Sequence, residues 1–249
     1  METLTKTILS AGLQQRTLTE AQLARLLGGS AQRRYNLVNR ALHRGELLRL
    51  RRGRYRLASR VANGGSYPGG GAHPGGGAHP GGGAHPFVLV QGLVPGAYVS
   101  FESALAFHGW IPEAVTLVLA VAPDRRSRQY QIDEAGLFQF APLPLIKGFM
   151  LEAVDRVVLQ EQAALVAQPL RALLDLFCLH RWDWSSARAW LGGARIDLES
   201  LASLEVERLQ ALRCVYRHRR MQQVIDGLSS CLLSWEAGDG RVLSQGGCQ

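Results

Sequence analysis

Arg49, Arg51, Arg52, Arg54 and Arg56 fall within eight residues, Arg49-Leu50-Arg51-Arg52-Gly53-Arg54-Tyr55-Arg56, with no acid among them. A guanidinium is permanently charged and presents a planar fork of donors, so a crowd of them suits phosphate oxygens above all. Just upstream, Arg33, Asn36, Arg40 and His43 recur at three- and four-residue spacing and share one face of a helical wheel. Those residue types donate to phosphates and read base edges in a major groove. Residues 1–60 hold 13 Lys/Arg against 3 Asp/Glu, whereas residues 61–249 hold 15 against 17. The formal charge of +8 therefore resides in the leading segment. Its natural partner is a polyanion, most simply duplex DNA.

Local signals say how these side chains are positioned. Leu4, Ile8 and Leu9 predict a short first helix with one apolar side. Thr17 with Glu20, or Thr19 with Gln22, fits a capping box ahead of Leu23, Leu26 and Leu27, and Gly28-Gly29 stops that second helix. Ser30 is an N-cap for a third helix and Gly45 its C′ stop. On that helix Tyr35, Val38, Ala41 and Leu42 are expected to face the core, opposite the polar face. A two-residue turn at Arg52-Gly53 then predicts a hairpin pairing Arg51 with Arg54, Leu50 with Tyr55, Arg49 with Arg56 and Leu48 with Leu57. In that register the leucines and Tyr55 face inward. The arginines face outward as like-charge cross-strand pairs, which destabilise a hairpin unless an anion lies alongside. A basic edge also guards a strand against aggregation, but Lys mixed with Glu does so equally well. RNA is an alternative partner that suits this face less, because no exposed aromatic stacking platform is expected beside the charge. Helix, helix, helix and hairpin in this order predict a winged helix-turn-helix over residues 1–60.

Residues 61–86 hold three copies of Pro-Gly-Gly-Gly-Ala-His, which cannot bury a core and predict a flexible linker. A tether of this length reaches roughly 25–30 Å. His73, His79 and His85 suggest loose metal binding at most; a duplicated low-complexity spacer is the plainer reading. From residue 87 to about 233 the composition is that of a globular α/β domain. Ala97–Ser100 reads as a short strand ending in an N-cap, Phe101–His108 as a helix, and Val115–Val121 as a strand buried on both faces. Further short strands are expected around 129–132, 137–140, 146–150 and 156–159. Leu165–His180 reads as a helix kinked or started at Pro169, and one or two helices are expected between Leu198 and Leu233. Residues 234–249 read as a loose tail. The fold class expected is thus α+β.

Catalytic signals are sparse. His108 is better suited to closing a helix end than to acting as a base, and nothing in the spacing brings Glu102 to Asp175, which reads as a buried hydrogen-bonding residue. Phosphate loops, serine-hydrolase elbows and metal-ligand spacings are missing, so no enzyme and no cofactor is expected. Cys178, Cys214, Cys231 and Cys248 form no close pair and suit free thiols in a reducing compartment. The longest apolar run, Val115–Pro123, is too short to span a bilayer, and no signal peptide is read at the N-terminus. The expectation is a cytoplasmic protein without a membrane partner. Arg213, Arg217, His218, Arg219 and Arg220 form a second basic cluster, either a solvated helix face or a docking patch for an acidic partner. Trp182, Trp184 and Trp190 lie in a loop-like stretch and suit either an exposed interface or core packing.

Three segments carry a resemblance: LVNRALHRGELLRLRRGRYRLA (37–58), YVSFESALAFHGWIPE (98–113) and PLRALLDL (169–176). Together they resemble the AbiEi family, the antitoxin and transcriptional-regulator proteins of abortive-infection type IV toxin–antitoxin systems. The resemblance implies a winged helix binding inverted repeats in the operon's own promoter, and a larger C-terminal domain counteracting a nucleotidyltransferase-like toxin. It would place Arg33, Asn36 and Arg40 in the major groove and Arg49, Arg51, Arg52, Arg54 and Arg56 on phosphates. The repeat tether departs from the family's pattern. A transcription factor with a ligand- or partner-sensing second domain, and an uncharacterised nuclease or transferase, are the readings from other classes.

Overall fold

The computed structural model describes residues 4–58, 85–112, 117–132, 135–193, 196 and 205–236, and it is a mixed α+β fold with two sheets. The segment expected to be a linker, apart from His85 and Pro86, and the expected tail beyond Glu236 lie outside the described residues.

The N-terminal unit comprises α1 (Leu4–Ser10), β1 (Leu18–Thr19), α2 (Glu20–Leu27), α3 (Ala31–His43), β2 (Leu47–Arg51) and β3 (Arg54–Leu57). Thr19 caps α2 in a full capping box with Gln22, so the second of the two predicted boxes is the one formed. Ser30 caps α3 by accepting from the Arg33 N–H at 3.3 Å. The strands form an antiparallel sheet in the order β1-β3-β2. Leu4, Ile8, Leu18, Leu23, Ala41, Leu47 and Leu57 make one small core beneath it. Gly53 turns the hairpin at φ +72°, a conformation that glycine adopts without a side-chain clash.

The larger unit begins earlier than expected, at His85 and Pro86, which open a 3-10 helix (Pro86–Leu89) that runs into α4 (Val90–Leu93). A six-stranded mixed sheet follows, in the order β6-β7-β5-β4-β9-β8. Its strands are β4 (Tyr98–Val99), β5 (Leu117–Ala122), β6 (Arg128–Ile132), β7 (Gly136–Pro142), β8 (Val154–Leu159) and β9 (Gln162–Ala167). Helices α5 (Phe101–Phe107), α6 (Pro169–His180), α7 (Trp184–Gly193), α8 (Val206–Ala211) and α9 (Arg219–Glu236) complete it.

Three expectations for this unit are corrected. Leu165–Ala167 belongs to β9, because Pro169 can open a helix but cannot donate within one; α6 starts there. Residues 146–150 form no strand: the chain there makes only an isolated bridge, Leu145 with Tyr216, and loops back. The stretch holding Trp184 and Trp190 is helical, and Trp182 and Trp190 pack against Phe177 at 5.9 Å, on the core side of the two options. Among the described residues, no helix is long and apolar enough to cross a membrane.

At the centre of the larger unit lies a buried charge network. Arg171 and Asp175, one turn apart on α6, are both fully buried and paired at 2.9 Å. Asp175 accepts from the hydroxyls of Tyr98 (2.9 Å), Ser100 (2.8 Å) and Tyr216 (2.9 Å). Arg171 donates to the Glu152 carbonyl at 2.7 Å and to Tyr98 Oη. Burial opposes the charge on Arg171, but Asp175 and the two tyrosines more than offset it and hold the guanidinium above its ordinary value. Burial likewise raises both tyrosines well above theirs. Ser100 occupies the expected N-cap position of α5, but spends its hydroxyl on Asp175 and makes no side-chain capping bond.

Candidate nucleic-acid interface

The polar face of α3 points to solvent. Arg33, Asn36, Arg40 and His43 are all exposed, and Gln32 donates to Asn36 at 3.2 Å along the same face. Arg34, half-buried, folds back to donate to the Gly29 carbonyl, consistent with its position nearer the apolar side. Tyr35 does not join Val38, Ala41 and Leu42 in the core; it is 63% exposed. It sits at the rim of the apolar stripe in the first turns of α3. An exposed aromatic therefore does accompany the charge. Sequence reasoning missed it by assigning the stripe its full width.

The hairpin keeps only the first predicted pair. Arg51 opposes Arg54, but a bulge at Leu50 shifts the rest by one, so that Arg49 opposes Tyr55, Leu48 opposes Arg56 and Leu47 opposes Leu57. A one-residue slip exchanges the faces of a strand. Leu47 and Leu57 enter the small core, whereas Leu50 enters the core of the larger unit. Arg49 and Arg52 are exposed and Arg54 is half-exposed. Arg51 is half-buried, with its Nε lacking a hydrogen-bond partner.

Arg56, expected on the outward face, is instead 4% exposed, and donates to Gln162 at the start of β9. Burial lowers it to about 10, and among the described residues no carboxylate pairs with it. In this arrangement Arg56 leaves the phosphate-facing set. A buried guanidinium with only a neutral amide partner adds little net stability. Arg56→Met is therefore expected to leave the thermal midpoint unchanged or higher, and to leave DNA affinity within about twofold. Thermal melts and gel shifts of that variant check both.

Among the described residues, Arg33, Arg40, Arg49, Arg52 and Arg54 form no ion pair with a carboxylate. Glu46 accepts from Thr5 at 2.7 Å and lies 3.9 Å from Arg44, whereas the Glu20 carboxylate lies beside the hairpin turn, 3.7 Å from where a Cβ on Gly53 would stand. The candidate interface thus holds five guanidinium groups outside any ion pair among the described residues, together with Asn36, His43 and Tyr35.

The second basic cluster is dispersed by the fold. Arg213 lies in a 3-10 turn and pairs with Asp226, so it is corrected out of any free patch. Arg217 and Arg219 are exposed at the start of α9, and Arg220 is half-buried there. The cluster therefore occupies the N-terminal end of that helix, where the helix dipole opposes it. His108 donates its Nε2–H to the Ala167 carbonyl at 2.9 Å, and burial lowers it below the ordinary histidine value. It closes α5, as expected of a helix-end histidine. Glu102 starts α5 and takes no part in the Asp175 network. Among the described residues no group of three or more His, Cys, Asp or Glu is placed to hold a metal ion; His73 and His79 lie outside them.

Comparison of the chain with protein-family models and with characterised proteins gives no match.

Proposed function

We propose that residues 4–58 form a winged helix-turn-helix that binds duplex DNA, and that the protein is a non-enzymatic autorepressor and antitoxin. The observation that carries the DNA-binding reading is the α3 face and hairpin, with five guanidinium groups that form no ion pair among the described residues, on a unit ordered α1-β1-α2-α3-β2-β3 with sheet order β1-β3-β2. Helix α3 has the size and residue types of a major-groove reader, with Arg33, Asn36 and Arg40 at base edges and His43 at the backbone. Arg49, Arg52 and Arg54 grip phosphates beside it, with Arg51 behind them. The repeat tether joins this unit to the larger domain.

The antitoxin half rests on the sequence resemblance, and promoter repeats and a nucleotidyltransferase-like toxin are its proposed partners, in the cytoplasm. Arg217 and Arg219 are candidates for docking the toxin. Co-expression with an adjacent nucleotidyltransferase-like gene tests it. Restored growth supports the antitoxin; continued arrest, with this protein folded and abundant, rejects it.

A second reading is favoured by one feature. A cavity of about 520 Å³ in the larger unit is lined by Trp110, Glu152, Asp155, Gln168 and Arg208. It suits a transcription factor whose larger domain senses a small ligand, with no toxin involved. Absence of growth rescue, together with intact operator binding, supports that reading.

A further inference from the structure

The N-terminal hairpin is seated on the larger unit. Leu50 is part of the larger core, Arg56 reaches Gln162, and β2 contacts β6. A Cβ added to Gly92 would stand 2.5 Å from Thr17 Oγ1 and 3.0 Å from Leu50 Cδ1, so the backbones approach as closely as only glycine permits.

The strand register shows which end of the large sheet this is. Tyr98 stands opposite Val121 and Val99 opposite Ala120, while Val99 also pairs with Val166. Gln162 begins β9 and so projects beyond the level of Ala122, where β5 ends and the chain turns into β6. That turn is Pro123-Asp124-Arg125-Arg126-Ser127. It lies at the same end of the sheet as Gln162 and the docked hairpin. From β6 to β9 is four places in the strand order, about 19 Å at the usual strand spacing. The hairpin, about 17 Å long, touches both.

The turn is cationic and unspent. Asp124 pairs with Arg128 at 2.7 Å and accepts from the Arg126 N–H at 3.2 Å. The hydrogen bonds from Arg128 hold its carboxyl down at about 2. The Arg125 and Arg126 side chains are exposed and form no ion pair among the described residues. Arg49 and Arg52 stand exposed on the hairpin at this same end.

We propose that Arg125 and Arg126 bind the phosphate backbone of the same duplex as the hairpin, so that the larger unit contributes directly to the DNA footprint. This rests on the DNA-binding reading of the N-terminal unit and extends it. The docked hairpin brings the two cationic surfaces to one end of the large sheet, and the turn contacts phosphates flanking those held by Arg49, Arg52 and Arg54. Because neither turn arginine belongs to a groove-sized element, the contribution is independent of base sequence.

The test uses the full chain and a long duplex containing its site, titrated at several salt concentrations. Arg125→Gln with Arg126→Gln is compared with a charge-matched control, Arg156→Gln with Arg181→Gln. All four residues are exposed, and circular dichroism verifies the fold. The turn variant is expected to bind on the order of tenfold more weakly, with a salt slope shallower by about 2, and the control to bind as wild type does. Should the wild type show steep salt dependence while the turn variant matches the control, the inference is overturned and the DNA-binding reading stands. Should the wild type show no salt dependence, the DNA-binding reading itself fails.

Discussion

Arg171→Ala is expected to lower the stability of the larger unit by about 3–5 kcal/mol, enough to leave much of the population unfolded at 37 °C. The guanidinium is fully buried and, among the described residues, is the ion-pair partner of Asp175, which would be left as a buried carboxylate without it. The loss goes beyond the pair. Arg171 also holds the loop after β7 through the Glu152 carbonyl, and Asp175 ties β4 to the Tyr216 segment through three hydroxyls. Asp175→Asn, which keeps the shape and removes the charge, should cost nearly as much, because Arg171 is then the unpaired ion. Chemical denaturation followed by the tryptophans measures both, since Trp182 and Trp190 pack on Phe177 of the same helix. A loss below ~1 kcal/mol in both variants contradicts the assignment of the network as the keystone of this unit.

The second large effect separates grip from reading. Replacing Arg49, Arg52 and Arg54 together with alanine is expected to weaken binding to every duplex by about a hundredfold or more, leaving the ratio between specific and scrambled sequences nearly unchanged. Arg40→Ala, in contrast, is expected to compress that ratio by about 1–3 kcal/mol while leaving scrambled DNA bound nearly as before. The asymmetry follows from placement. Arg40 lies in the last turn of a 13-residue helix able to enter a groove, whereas the hairpin arginines lie on and around a turn. Gel-shift titrations on matched and scrambled duplexes separate the two behaviours. Identical effects in both variants would mean that α3 is not the reading element.

Much of the N-terminal unit was legible because its signals are local. Thr19 with Gln22, Ser30, Gly45 and the Arg52-Gly53 turn each fix a boundary through backbone geometry, and each boundary falls where the chemistry predicts. The hairpin register was not legible beyond its first pair. The bulge at Leu50 is set by the larger unit, whose core takes that leucine, and a contact across the sequence leaves no mark in a strand's own alternation. The same slip hides Arg56, whose residue type announces exposure. In the larger unit the β-branched run in β5 declares itself, whereas the end of β9, Leu165–Ala167, reads as helix because Ala and Leu favour helices and only Pro169 marks the break. Asp175 was legible as a buried hydrogen-bonding residue. Its partners Tyr98, Ser100 and Tyr216 were not, because they converge from elements far apart in sequence.

The central claim is that the leading unit neutralises the sugar–phosphate backbone of a duplex, and the most direct measurement is wild-type affinity for promoter DNA as a function of salt. About five or six phosphate contacts predict a plot of log affinity against log salt falling with a slope of about −5. An affinity that does not change with salt, or the absence of binding to any duplex by the folded protein, would contradict it.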